Sequence, residues 1–201
     1  MRRTSPAALR NRGPLLEVLE DVLPPAGLVL EVASGSGEHV VFFASALPAL
    51  QFQPTDRDPE ARASIAAHLG EANLPNVRAP IELDAASPRW PIAQADALLC
   101  INMIHIAPLA ATRGLFAGAA RVLPPGAPLL TYGPYRFSGS FTAESNAAFD
   151  RSLRAQDPAW GVRDVDELFP LAVAHGLHPE RTVALPANNH ALVFRRVSPA
   201  A

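Results

Sequence analysis

Short apolar runs and longer stretches with helical spacing alternate along this chain. Leu28 to Ala33 is a brief aliphatic and β-branched run, and Leu50 to Asp56, Val77 to Asp84, Ala95 to Ile104 and Pro128 to Pro134 repeat that texture. Runs of this length read as buried strands. Between them, 38–47, 59–72, 111–123, 142–156 and 165–176 space their apolar positions as helices do. Pro14 to Leu23 reads as an amphipathic helix opened by its proline, and Pro59 suits a first helical turn in the same way. The chain closes with apolar runs at 181–187 and 190–196, joined by a tight Asn188-Asn189 turn.

Strands alternating with helices of ten or more residues build βαβ units and a parallel sheet. A strand covered on both faces is apolar on both sides, as Ala95 to Ile101 is apart from Asp96. A two-residue connection permits only an antiparallel hairpin. The expected fold is therefore α/β, with a mostly parallel seven-stranded sheet and an antiparallel strand near the C-terminus.

Length and charge narrow the field. The 201 residues suit one domain spanning 1–201, with no internal repeat and no low-complexity linker. Net charge is -2, and the 17 basic residues are scattered, so no basic stripe points to nucleic acid. Arg2, Arg3, Arg10 and Arg12 read as a solvated tail. The single cysteine, Cys100, excludes an internal disulfide and fits a reducing cytoplasmic setting. The first residues lack the apolar core of a secretory signal, and no run reaches the ~18 apolar residues of a membrane span. The six histidines show no metal-ligand spacing, so no metal is expected.

The candidate chemistry centres on residues 33–37, all Ala, Ser or Gly. In an open α/β sheet the ligand lies beyond the carboxyl ends of the strands, and a small-residue turn there lets it approach the backbone. Gly35 and Gly37 form G-x-G, but Val40 stands where a dinucleotide site prefers a third small residue. Glu31 before the turn would repel a pyrophosphate and attract an ammonium. Asp56, ending the second strand, has two acceptor oxygens for the hydroxyls of a ribose, a device that nicotinamide sites share. Asp84, ending the third, is placed to accept from an adenine amino group, with Ala85 offering its backbone N–H. Each acid taken singly also reads as a helix N-cap.

Glu31 to Gly37 resembles the acidic-then-glycine turn of class I S-adenosylmethionine (SAM) methyltransferases, with Ala33 for the usual first glycine. The whole chain resembles the methyltransferase-like 26, or domain-of-unknown-function 938, family. That resemblance is carried by "RNRGPLLEVL", "EVASGSGEHVVFFA", "QPTDRDP", "INMIHIAP", "LLTYGPYRFSGSFTAESNAAFDRSLRAQDPAWGVRD" and "PANNHALVF". The chain departs from the family pattern at Gly13, Leu109 and His190, which bears on substrate choice. The resemblance implies a Rossmann-like class I methyltransferase sandwich with SAM as cofactor. Asn11, Arg12, Glu31, Ala33, Ser34, Gly35, Gly37, His39, Asp56, Asp84, Ala85, Asn102 and Met103 form the candidate cofactor set. Asn11 and Arg12 precede the first helix in this reading, with Arg12 facing the cofactor carboxylate.

The remaining candidates flank the acceptor. His105 is either a general base or a hydrogen-bonded loop histidine. Tyr132 and Tyr135 either line an acceptor pocket with Phe137 or belong to the core. The stretch 137–164 reads as a substrate-side lid carrying Asn146, Phe149, Asp150, Trp160 and Arg163. Asn146 and Asp150 share a helix face, and Asp150 is a further candidate proton acceptor. Asn188 and Asn189 are turn formers whose loop opens on the cleft. His105, Tyr132 and Asp150 are thus the catalytic candidates, and Tyr135, Asn146, Phe149, Trp160, Arg163, Asn188 and Asn189 the acceptor-binding ones. The expected activity is methyl transfer to an O- or N-nucleophile on a small molecule, away from nucleic acid and membrane, the oligomeric state staying open. A non-catalytic SAM or nucleotide binder acting through a protein partner is the alternative, and a nicotinamide dehydrogenase ranks last.

Overall fold

A computed structural model describes residues 2–198. The chain forms α1 (Pro6–Val22), β1 (Gly27–Val32), α2 (Glu38–Ala46), β2 (Leu50–Asp56), α3 (Pro59–Ala72), β3 (Ile81–Glu82) and β4 (Ala97–Ile101). It continues through α4 (Leu109–Val122), β5 (Pro128–Gly133), β6 (Arg136–Phe137), β7 (Ser140–Phe141), α5 (Glu144–Gln156), α6 (Val165–Ala174), β8 (Leu177–Leu185) and β9 (Asn189–Arg196). A seven-stranded sheet has the order β3-β2-β1-β4-β5-β9-β8. β2, β1, β4 and β5 run parallel, and β9 is antiparallel to both β5 and β8. The fold is α/β and mostly parallel, as expected, with the antiparallel strand inside the sheet and β8 outside it.

Two apolar layers hold the sheet. One face packs Leu15 and Leu19 of α1, Phe43 of α2 and Ile65 of α3 against Val29, Leu99 and Leu130. The other packs Leu115 and Phe116 of α4 and Leu168 of α6 against Leu30, Leu98 and Leu129. β9 shows the alternation directly, with Ala191 and Val193 in the first layer and Leu192 and Phe194 in the second. Each such fully buried side chain contributes about 1.5–3 kcal/mol relative to exposure.

Several boundaries move. Ser5, not Pro14, opens the first helix: its hydroxyl accepts from the Ala8 N–H at 3.2 Å with Pro6 in the first turn. Pro14 lies inside α1, so Asn11 and Arg12 are helical rather than preceding the helix. The third strand shrinks to Ile81–Glu82, and Val77 keeps only an isolated bridge to Phe52. The fourth stops at Ile101, where Asn102 turns to φ 62 and starts a 3-10 turn over Met103–His105. The last hairpin pairs Leu185 with Asn189, so its turn is 186–188, with positive φ at Ala187 and Asn188 rather than at Asn189. Among the described residues, no helix is long and apolar enough to cross a membrane.

Candidate functional site

The β1–α2 turn is an open shelf. Ala33, Gly35 and Gly37 all have left-handed backbones, at φ 59, 59 and 94. Ala33 bears a cost of roughly 1–2 kcal/mol that glycine would not. A side chain on Gly35 would meet nothing, so the shelf is clear there. A Cβ on Gly37 would sit 2.9 Å from the Ile65 α-carbon, so this glycine serves the close approach of α2 to α3. Ser34 stitches the shelf to the sheet: its N–H donates to the Thr55 carbonyl at 2.8 Å, and its hydroxyl accepts from the Thr55 N–H at 3.2 Å.

Three acids stand around this shelf. Glu31 is buried at the end of β1, and its Oε2 has no hydrogen-bond partner. Burial pushes its carboxyl up to about 7; the Ser34 hydroxyl draws it down and the Asp56 charge pushes it further up. Asp56 accepts from the Gly35 N–H at 3.0 Å and from the Asp58 N–H at 2.9 Å, one bond to each oxygen. A carboxylate accepts about four bonds, so each oxygen keeps capacity. Asp84 accepts from the Ala86 N–H at 2.9 Å.

Asp56 and Asp84 line one cavity of about 460 Å³ together with Ala33, Gly35, Ala85 and Met103. Ligand pockets begin near ~300 Å³. The sequence reading missed Val32, Leu83, Ile101, Ile106 and Ala107 on its walls. Val32 and Leu83 adjoin acids already singled out, so the strand-end pattern contained them. Ile106 and Ala107 lie in the quoted "INMIHIAP". Asp58 also lines the cavity, while its side chain caps α3 by accepting from the Glu60 N–H at 2.9 Å.

A second polar group lies toward α1. Asn11 Oδ1 and His39 Nε2 share a hydrogen bond at 2.7 Å, and His39 stacks on Phe43. Burial, then the Arg12 charge, lowers His39 to about 4. The Arg12 guanidinium lies over the Phe42 ring at 4.6 Å. Tyr132 points into the same layer; burial raises the pKa of its hydroxyl, and the nearby side chains of Asn11 and Asn189 only partly offset this. Asn102 takes the Tyr132 carbonyl with its N–H at 2.7 Å. None of Asn11, Arg12, Glu31, Ser34, Gly37, His39 and Asn102 lines the cavity itself.

The segment after β5 departs most from expectation. His105 is fully buried: Nδ1 accepts from the Arg163 N–H at 3.3 Å, Nε2 has no partner, and a Cβ on Gly133 would lie 2.4 Å from it. Burial, then the Arg163 charge, lowers this imidazole to about 3, which removes it as a general base near neutral pH. Asp150 is committed as well. Its oxygens accept from Arg154 Nε at 2.7 Å and from the Val162 N–H at 2.8 Å. Burial pushes its carboxyl up, but these two bonds outweigh that and hold it below the usual carboxylate range. Tyr135 is a core residue, donating to Thr131 Oγ1 at 2.9 Å and meeting His105 edge-on. Arg163 donates to the carbonyls of Ile104, Ala107 and Ala159 at 2.7–2.9 Å, so it fastens this segment to the loop after β4. Asn146 donates to Thr142 Oγ1 and to the Asn188 carbonyl, tying α5 to the last hairpin, and Asn189 donates weakly to the Pro186 carbonyl. Phe149 is 39% exposed. Of the acceptor-binding candidates only Trp160 lines the cavity. Among the described residues, no three His, Cys, Asp or Glu side chains could hold a metal ion together.

The sequence matches the family described as "Protein of unknown function (DUF938)" over residues 2–196. An O-methyltransferase family 2 protein from Planctomyces limnophilus, solved with apigenin, is 20% identical with a TM-score of 0.80 over 95% of this chain and 58% of its own. An O-methyltransferase family protein from Burkholderia thailandensis is 19% identical with a TM-score of 0.81, over 96% and 58%. A methyltransferase of calicheamicin biosynthesis, solved in its S-adenosylhomocysteine-bound form, is 21% identical with a TM-score of 0.73, over 92% and 54%. This chain thus spans little more than half the length of those proteins, and the likeness establishes a Rossmann-like class I methyltransferase fold.

Proposed function

This chain belongs to the DUF938 family, and from that premise and the site geometry we propose that it binds SAM and transfers its methyl group to a small-molecule acceptor. The observation that carries the reading is the buried Glu31 carboxyl, one oxygen of which has no partner, one residue before the wall of a cavity edged by Asp56 and Asp84. A buried charge without a partner is costly, and an ammonium would relieve it, whereas a pyrophosphate would add repulsion. Asp56, Asp58 and Asp84 on the walls outnumber Arg57, which disfavours phosphates there.

When bound, SAM supplies a methyl group already activated on sulfonium. The chain's part is orientation and exclusion of water, and positioning alone is worth up to about 7–11 kcal/mol. Asp56 has spare oxygen capacity for a ribose, and Asp84 with Ala85 for a purine edge. Asn11 and His39, joined by their hydrogen bond, and Arg12 are the polar groups on the α1 side for the amino-acid end. The acceptor approaches past Met103 and Asn102, where Tyr132 and Asn189 offer polar contacts. The raised Tyr132 phenol stays protonated at neutral pH, so it orients an acceptor oxygen by donation rather than taking its proton.

Calorimetric titration with S-adenosylhomocysteine and, separately, with NAD tests the cofactor. Binding of the first only, lost in Asp56→Ala, supports the reading and opens a screen of phenols and amines as methyl acceptors. Binding of NAD, or of neither, overturns it.

A further inference from the structure

The segment between α5 and α6 reaches the cavity from outside the sheet. Of the residues that line it, only Asp157 and Trp160 come from beyond β5. They are held in place on both sides. The Trp160 N–H donates to the Asp157 carbonyl at 3.0 Å, and the Gly161 N–H to the His105 carbonyl at 2.9 Å. Asp150 then takes the Val162 N–H, and Arg163 grips the carbonyls of Ile104 and Ala107. Those last two bonds clamp the segment to the loop that supplies Ile106 and Ala107 to the same cavity. Ile106 is 43% exposed and Trp160 half-buried, so both leave apolar surface uncovered.

Resting on the SAM reading above, we infer that this segment is a cofactor lid, with Trp160 packing on the purine opposite Ile106. A flat heteroaromatic ring covers both apolar surfaces at once, and aromatic stacking tolerates any purine edge chemistry. Asp84 and Ala85 then read the edge of the ring while Trp160 covers its face. The segment therefore belongs to the methyl donor's half of the site, and donor exchange requires the Arg163 clamp to open. The acceptor meets only the far end of α5, where Asn146 holds the last hairpin.

The test is S-adenosylhomocysteine titration of the wild type, Trp160→Ala and Trp160→Phe, followed by calorimetry and by tryptophan emission. The expected result is an affinity at least about fivefold weaker in Trp160→Ala, as for loss of one base-stacking aromatic. Trp160→Phe should bind within about twofold of wild type, because a phenyl ring keeps the packing. Wild-type emission should change on binding, and that change should vanish in Trp160→Phe, since Trp90 is packed against Gly118 on α4. Wild-type binding with unchanged affinity in Trp160→Ala and an emission change that survives in Trp160→Phe would overturn the lid and leave the cofactor reading standing. Failure of the wild type to bind would overturn the cofactor reading, and the lid with it.

Discussion

Glu31, Asp56 and Asp84 at the ends of the first strands, and Asp150, Arg163 and Asp164 after β5, are charged groups held at one end of the sheet. Their hydrogen-bond partners separate them. Glu31 keeps an oxygen with no partner, and Asp56 and Asp84 keep capacity toward a cavity. Asp150 and Arg163 are occupied by Arg154, Val162 and three backbone carbonyls, while Asp164 caps α6 through the Asp166 N–H and also accepts from Gly139. A charged side chain available to a ligand is one whose bonds are unfilled, and residue type alone does not reveal this. The first group is arranged for binding and the second for fastening.

Exchanging the two groups by mutation sharpens that contrast. Asp56→Ala should weaken S-adenosylhomocysteine binding by about 100-fold or more, equivalent to about 3 kcal/mol for lost charge-assisted bonds. Asp150→Ala should act chiefly on stability, lowering it by about 2–3 kcal/mol in urea unfolding, because one buried N–H and one guanidinium lose their acceptor together. Its cofactor affinity should fall at least tenfold less than that of Asp56→Ala. Equal binding losses in the two variants would erase the distinction.

Glu31→Gln comes next and separates stability from binding. The Glu31 carboxyl has a folded pKa of about 7 against an ordinary 4.5. Its contribution to stability is therefore full below 4.5 and lost as pH rises through about 7. At pH 8 the free variant should be more stable than wild type by about 1–3 kcal/mol, with melting temperature as the measure. Its affinity for S-adenosylhomocysteine should be about tenfold weaker at that pH, since the ammonium loses its counter-charge. Wild-type affinity should rise with pH through about 7 as Glu31 ionises, and the variant should show no such rise.

His105 gives a pH effect of opposite sign. Its folded pKa is about 3 against 6.5. Stability is thus full above 6.5 and falls as pH drops toward 3, while any methyl-transfer profile should show no inflection from this imidazole. Urea unfolding at pH 7 and pH 5 should show the wild type losing about 1–2 kcal/mol more than His105→Phe. The smallest effect should be Asn189→Ala, which removes the bond to the Pro186 carbonyl and a polar side chain near the Tyr132 hydroxyl, and should cost about 0.5–1.5 kcal/mol in urea unfolding.

The strand-end acids were legible because a parallel sheet fixes where strands end, and each acid stands at or beside the end of a strand-like run. Fastening was not legible. Asp150 is satisfied by Val162, twelve positions away, and His105 by Arg163 across the chain, pairings that no local pattern encodes. The start of α1 was misread because Pro14 carries the same signal as Pro6, and only the Ser5 cap tells them apart. The last turn slipped because Ala187 adopts a left-handed backbone that asparagine was expected to take. Asp157 and Trp160 reach the cavity because the Arg163 clamp draws 157–163 toward the loop after β4, a pairing no local pattern encodes.

The place of β9 between β5 and β8 bears on how the molecule is made. On the ribosome β5 is finished at Gly133, yet its neighbour in the sheet begins only at Asn189. At about 5–20 residues per second, the intervening stretch takes roughly 3–11 s to synthesise. Throughout that interval Leu129 to Tyr132 present an unpaired edge, the template on which foreign strands add. A truncation before Asn189 would make this state permanent and would strand β8 as well, so the last strand to be made is the one that closes the β5 edge.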